Sequence, residues 1–204
     1  MLWLDSADSV APALPAVWLI PTGASPHNLA ERSKLRRGTA RHLLARQLGC
    51  AEEDVVIAHD PAGRPLLARP EASGLQLSFA TRAGIVAVAM APRPIGVDVE
   101  RIEMEGTVPL DVLHPDERGF LDAAANALRP LAFARIWAAK EAYVKALGVG
   151  FRRAPESFAV SLLSEIAFRV TDPSRPTEAS GHLRIMKNGG QDILAAAVIV
   201  LDEP

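Results

Sequence analysis

The sequence predicts an α+β protein built as a pseudo-twofold duplication: two halves, each a helix plus an antiparallel sheet, with a cleft between them. Three observations predict it. Two long stretches rich in Ala, Leu and Arg have helical composition, and each stops at a glycine. Each is followed by short β-branched runs that end in a hairpin-like pair. Finally, Arg41-His42-Leu43-Leu44-Ala45-Arg46-Gln47-Leu48-Gly49 falls in register with Lys140-Glu141-Ala142-Tyr143-Val144-Lys145-Ala146-Leu147-Gly148, matching basic residues, an apolar centre and a Leu-Gly stop. Chance can produce one such window between two amphipathic helices, but the matching order of elements around it favours duplication. On this reading residues 1–94 form the N-terminal half and 95–204 the C-terminal half, which carries the metal and catalytic motifs.

In chain order, Val17 to Ile20 reads as a first strand. Leu29 to Leu48 reads as a basic helix with Gly49 as its stop. Val55 to Ala58, Leu75 to Phe79 and the alternating Ile85 to Met90 read as strands, followed by Ile95 to Ile102. His114-Pro115-Asp116-Glu117 has the composition of a helix start, with Pro early and acids in the first turn. A second long helix is expected from about Pro130 to Leu147, stopped by Gly148. Ser157 to Leu163, Ile166 to Val170, Leu183 to Met186 and Ile193 to Leu201 complete the strands.

Composition narrows the function. With 204 residues, 49% hydrophobic and 23% charged, the chain can bury a real core. A net charge of -2 gives no global attraction to nucleic acid, so an anion site has to be local. The single Cys50 excludes an internal disulfide and a cysteine-based zinc site. Asp5, Asp8, Pro12 and Pro15 interrupt the apolar N-terminus, which does not read as a secretory signal. The longest apolar run, Leu194 to Leu201, is too short to span a bilayer. A soluble, cytoplasmic protein with no membrane partner is expected.

Two stretches carry the chemistry. In Gly96-Val97-Asp98-Val99-Glu100 a strand turns both carboxylates to one side and both valines to the other. An isolated Asp-x-Glu is usually a solvated strand face; here the apolar flank Pro94-Ile95-Gly96-Val97 places it in a central strand beside a cleft. In Trp137 to Lys145, Glu141 and Lys145 are one helical turn apart, continuing a stripe begun by Phe133 and Trp137. A stripe that starts aromatic and ends charged suits a buried edge opening onto a site better than an exposed ion pair. Three carboxylates with a nearby lysine suit a hard divalent cation that also holds a phosphate-bearing substrate. Lys140 projects to one side, in reach of a further phosphate oxygen. Arg37 and Arg41, one turn apart, suit a fork onto phosphate, although solvated basic helices are common. Their helix has no interleaved aromatics, so nucleic acid is rejected as the target. Gly63-Arg64-Pro65 is a turn containing a cation.

Together these motifs resemble the 4'-phosphopantetheinyl transferases of the surfactin-synthetase-activating (Sfp) type. That family's signature is a Gly-Ile/Val-Asp-Ile/Val-Glu strand followed by Trp-x-x-Lys-Glu-Ala-x-x-Lys-x-x-Gly-x-Gly. The second motif is complete here in Trp137, Lys140, Glu141, Ala142, Lys145, Gly148 and Gly150, with Phe151 following. Gly63-Arg64-Pro65 matches the family's Gly-Lys/Arg-Pro turn. The resemblance implies a monomer whose halves enclose coenzyme A. It implies transfer of the phosphopantetheine arm to a serine of an apo acyl or peptidyl carrier protein, releasing adenosine 3',5'-bisphosphate. It implies Mg²⁺ on Asp98, Glu100 and Glu141, with Glu141 also the base for the carrier serine. It further implies Lys145, supported by Lys140, on the α-phosphate, and Arg37 or Arg41, Arg64, Pro65 and Ser78 around the adenosine end. One departure stands out: in Leu77-Ser78-Phe79, Phe79 occupies the place of the family's usual histidine. Losing one charge-assisted hydrogen bond costs about 1.5–3 kcal/mol of binding. The competing expectations are a catalytically silent relative that binds coenzyme A or a carrier protein, and a Mg²⁺-dependent hydrolase of coenzyme A, which the residues alone leave open.

Overall fold

The computed structural model describes residues 1–24, 26–71, 74–105, 108–149, 153–188 and 191–202. Gly150 and Phe151 of the long motif lie outside them. Two sheets are stacked between two helices. The first joins β1 (Leu2–Leu4), β2 (Ala16–Pro21), β6 (Ile85–Ala91) and β5 (Gln76–Arg82) in that spatial order. The second joins β7 (Ile95–Arg101), β11 (Gln191–Val200), β10 (Ala179–Asn188), β9 (Ala167–Thr171) and β8 (Ala159–Leu162). A separate hairpin pairs β3 (Val56–His59) with β4 (Pro65–Arg69). The helices are α1 (Leu29–Leu48), α2 (Pro115–Ala123) and α3 (Arg129–Leu147).

The expected α+β class holds, and the two sheets repeat one connectivity. In each, the strand before the long helix pairs antiparallel with the last strand of its half, which pairs in turn with the strand before it: β2-β6-β5 and β7-β11-β10.

Local chemistry sets the helix ends. Asn28 caps α1 by accepting the Glu31 N–H at 2.9 Å, and Glu31 reaches back to the His27 N–H at 2.8 Å. Gly49 ends α1 in the left-handed region at φ 68. His114 caps α2, with Pro115 in its first turn and Glu117 closing a capping box. Two strands escape the sequence reading. β1 is three residues long and pairs in parallel with β2, so it carries no period of its own. β4 begins at Pro65, the last residue of the Gly63-Arg64-Pro65 motif, and alternates around exposed Leu66. β10 also begins four residues before the expected Leu183, in polar sequence, because Gly181 leaves room for the Phe168 ring: a Cβ there would lie 2.2 Å from it.

Alternation along the strands builds the layers. Val17, Leu19, Ala87 and Ala89 of the first sheet meet Val97, Val99, Ala196 and Val198 of the second in a shared core. The opposite face of the first sheet, Trp18, Val88 and Met90, covers Leu43 and Leu44 of α1. The opposite face of the second, Ala197, Ile199 and Leu183, covers Ile136, Ala139 and Ala142 of α3. No helix among the described residues is long and apolar enough to cross a membrane.

Candidate active site

Close approach of β7 to α3 creates the site. A Cβ on Gly96 would stand 1.8 Å from the Ala142 carbonyl oxygen and 2.6 Å from the Ala146 nitrogen. The glycine is needed for contact rather than for its dihedral freedom. Ala138, Ala142 and Ala146 supply a small-residue surface in the core against which the strand lies. Two residues on, the same strand face presents Asp98, and two further Glu100, as the alternation requires.

Lys145 of α3 answers them. Its Nζ donates to Asp98 Oδ1 at 2.6 Å and to the Val97 carbonyl at 3.2 Å. Glu141, one turn earlier, is half-buried; burial pushes its carboxyl up, the Asp98 charge adds to this, and Lys145 opposes both. Burial also pushes Glu100 up, with Arg82 opposing and Asp98 reinforcing. Glu100 Oε1 accepts from Arg82 Nη2 at 2.8 Å. Phe133 and Trp137 stack at 6.0 Å between centroids, half-buried on the stripe that leads to Glu141.

Around this edge opens a cavity of about 290 Å³ that both halves line. Glu141, Val144 and Lys145 come from α3 and Gly148 from its C-cap, Leu77, Ser78 and Phe79 from β5, Gly63 and Arg64 from the β3–β4 turn, and Pro65 from the start of β4. Arg64 Nη2 donates to the Ala146 carbonyl at 2.9 Å and lies over Gly148, where a Cβ would fall 2.0 Å from it. Arg64 therefore ties the hairpin to the carbonyl end of α3, where a cation is favoured, while facing the cavity. Ser78 is buried, and its Oγ accepts the Val97 N–H at 3.0 Å, so it joins the halves as well as lining the cavity. Phe79 lines the wall from within the α1-side core.

Three sequence expectations need correction. First, α1 contributes Arg36 to the cavity, whereas Arg37 and Arg41 are exposed and absent from its lining. Arg36 lies one turn before buried Ala40 and continues the face of Leu43 and Leu44, so helical phase was the usable signal. Burial and the nearby Arg37 and Arg32 push the Arg36 guanidinium down, a cost that a bound anion relieves. Second, Lys140 points away from the cavity. Its Nζ lies 2.7 Å from Glu117 Oε1 and donates to the Pro155 and Phe158 carbonyls at 2.7 Å each. The Phe158 ring lies beneath it, 4.3 Å from Nζ to the centroid, and only 1% of the lysine side chain is exposed. Glu117 spends its remaining capacity on the Val160 and His114 N–H groups. The sequence showed Glu117 only as a first-turn acid, and nothing local marks it as the lysine's partner.

Third, the acids share one edge but do not converge: among the described residues no group of three His, Cys, Asp or Glu is placed to hold a metal. Lys145 holds Asp98 and Arg82 holds Glu100 instead. The donor chemistry nevertheless fits a hard cation. All three are carboxylates, and a divalent charge would relieve the burial and repulsion that raise Glu100 and Glu141.

Sequence comparison agrees with this architecture. A profile described as the 4'-phosphopantetheinyl transferase superfamily matches residues 94–198, from the start of β7 nearly to the end of β11. The chain belongs to this superfamily. It is similar to the 4'-phosphopantetheinyl transferase HetI of Nostoc sp., at 31% identity over 146 residues, 68% of this chain and 58% of that protein. It is also similar to a phosphopantetheinyl transferase of Thraustochytrium sp., at 29% identity over 164 residues, 72% of this chain and 57% of that protein. A third relative is the 4'-phosphopantetheinyl transferase gsp of Aneurinibacillus migulanus, at 26% identity over 122 residues, 59% of this chain and 50% of that protein. The chain thus spans between half and three fifths of the length of these relatives.

Proposed function

We propose that this protein transfers the 4'-phosphopantetheine arm of coenzyme A to a serine of an apo acyl or peptidyl carrier protein, in the manner of the Sfp-type enzymes. The observation that carries the reading is the α3 edge. There a half-buried Glu141, its carboxyl pushed up by burial and by the Asp98 charge, stands one turn from Lys145 beside a cavity that also holds Arg36 and Arg64.

In this reading the serine Oγ bonds to the diphosphate phosphorus that bears the pantetheine. The bond from that phosphorus to the bridging oxygen breaks, and adenosine 3',5'-bisphosphate leaves. Glu141 takes the serine proton; burial and the Asp98 charge push its carboxyl up, which makes it a better base than an ordinary carboxylate. Lys145 uses two N–H groups on Asp98 and the Val97 carbonyl and, among the described residues, has a third for a phosphate oxygen. Arg36 and Arg64 suit the adenosine-end phosphate, and Pro65 and Phe79 give the nucleoside an apolar wall. Asp98, Glu100 and Glu141 would hold Mg²⁺, which when bound supplies charge neutralisation for the diphosphate.

A second reading, a silent coenzyme A or carrier-protein binder, draws support from the pairing of Asp98 and Glu100 with cations of the protein itself. One experiment separates them. The protein is incubated with coenzyme A, Mg²⁺ and an apo carrier protein, and the carrier is weighed by mass spectrometry. A phosphopantetheine adduct is expected, and Glu141→Gln should lower its rate by about 100-fold or more. An unmodified carrier with intact coenzyme A supports the silent binder; an active Glu141→Gln removes the base assignment.

A further inference from the structure

Glu100 carries two claims on one carboxylate. The proposed function gives it to a divalent cation, and the following inference rests on that reading. In the structure its Oε1 accepts from Arg82 Nη2 at 2.8 Å. The two ends of this pair differ in freedom: 42% of the Arg82 side chain is exposed, against 17% for Glu100. Arg82 closes β5, beyond the strand's core positions, and also borders a second pocket of about 420 Å³ with Thr81, Arg32 and Arg101. Thr81 Oγ1 is buried there without a hydrogen-bond partner among the described residues.

A guanidinium and a hard cation compete for the same carboxylate lone pairs, and their like charges repel. We propose that Arg82 is a displaceable counter-ion: it occupies Glu100 while no cation is bound, and gives the carboxylate up to a divalent ion by turning into the second pocket. The move costs little, because a partly exposed ion pair is weak and the side chain is long. The pocket carries Glu103, which pairs with Arg101 at 3.5 Å and offers the displaced guanidinium another carboxylate. The guanidinium also joins Arg32 and Arg101, so an anion held there favours the displaced position. Arg82 is thus a positioning residue, keeping Glu100 oriented and compensated until the ion arrives.

Binding of Mn²⁺ alone, followed by electron paramagnetic resonance of the free ion, tests this without any transfer reaction. Removing the competitor in Arg82→Gln should tighten Mn²⁺ binding roughly threefold to tenfold. Arg82→Lys, which keeps the charge, should stay near wild type, and adding Glu100→Gln to Arg82→Gln should erase the gain. Equal or weaker binding by Arg82→Gln overturns the proposal and makes Arg82 a fixed support of Glu100. The carrier-mass assay on the same samples reads the other question. Tightening without any transfer sinks the transferase reading alone, and transfer without tightening sinks the counter-ion alone.

Discussion

Lys140 and Lys145 stand five positions apart on α3, and their environments give them opposite tasks. Lys145 keeps contact with the cavity while holding Asp98. Lys140 is enclosed, with its three N–H groups directed at Glu117 and two carbonyl oxygens, and burial pushes its ammonium down against the opposing pull of Glu117. Truncating one member of such a pair strands the other charge in the interior. Lys140→Ala should therefore cost about 3–5 kcal/mol in urea denaturation. The double variant Lys140→Met with Glu117→Leu should recover most of that, because neither charge is then left alone. A Lys140→Ala protein of wild-type stability with impaired coenzyme A binding would instead return this lysine to the ligand. The residue types of the long motif were legible in sequence. Which lysine faces the cavity was not, because Glu117 lies 23 positions upstream and its approach depends on how α2 packs.

At the level of elements, α1 shows both what a sequence reveals and what it withholds. Its limits, Leu29 to Leu48 with Gly49 as the stop, match the sequence reading because caps and stops are local chemistry. The face it turns to the cavity carries Arg36, whereas the expected Arg37 and Arg41 are exposed outside the lining. Basic residues surround this helix, so composition chooses no face; the buried positions Ala40, Leu43 and Leu44 do. The β7–α3 contact is sharper. Gly96→Ala forces a methyl into backbone already at 1.8 Å, and neither the central strand nor the helix can move freely. Overpacking of this kind costs about 1–3 kcal/mol or more, and parting β7 from α3 separates Asp98 from Lys145. A lower melting temperature together with weaker coenzyme A binding is expected by calorimetry. Loss of stability with unchanged affinity would show that the strand and helix do not set the site together.

Across the whole molecule the site is built at the expense of stability. Burial and Asp98 raise the folded-state pKa of Glu141 above its ordinary value of 4.5, so the fold favours the protonated form. The sign follows from linkage: the group's contribution is fully present below pH 4.5 and is lost as pH rises through the raised value. Wild type loses it as the pH climbs past that raised value, whereas glutamine does not titrate. Glu141→Gln should melt above wild type at pH 7.5 in metal-free buffer, and the gap should close as the pH falls below 4.5. A gap independent of pH, or of opposite sign, would mean that Glu141 is stabilised by its surroundings.

The order of most elements, the limits of the long helices, the shared carboxylate face of β7 and the alignment of Glu141 with Lys145 follow from periods of two and 3.6 residues and from local capping, so they were readable along the chain. Arg36 in the cavity, Lys140 in a buried pair, Ser78 on the Val97 amide and Arg82 on Glu100 were decided by the stacking of two sheets and two helices. That stacking brings together residues as far apart along the chain as Arg36 and Gly148, and no local pattern records which charges it will place face to face.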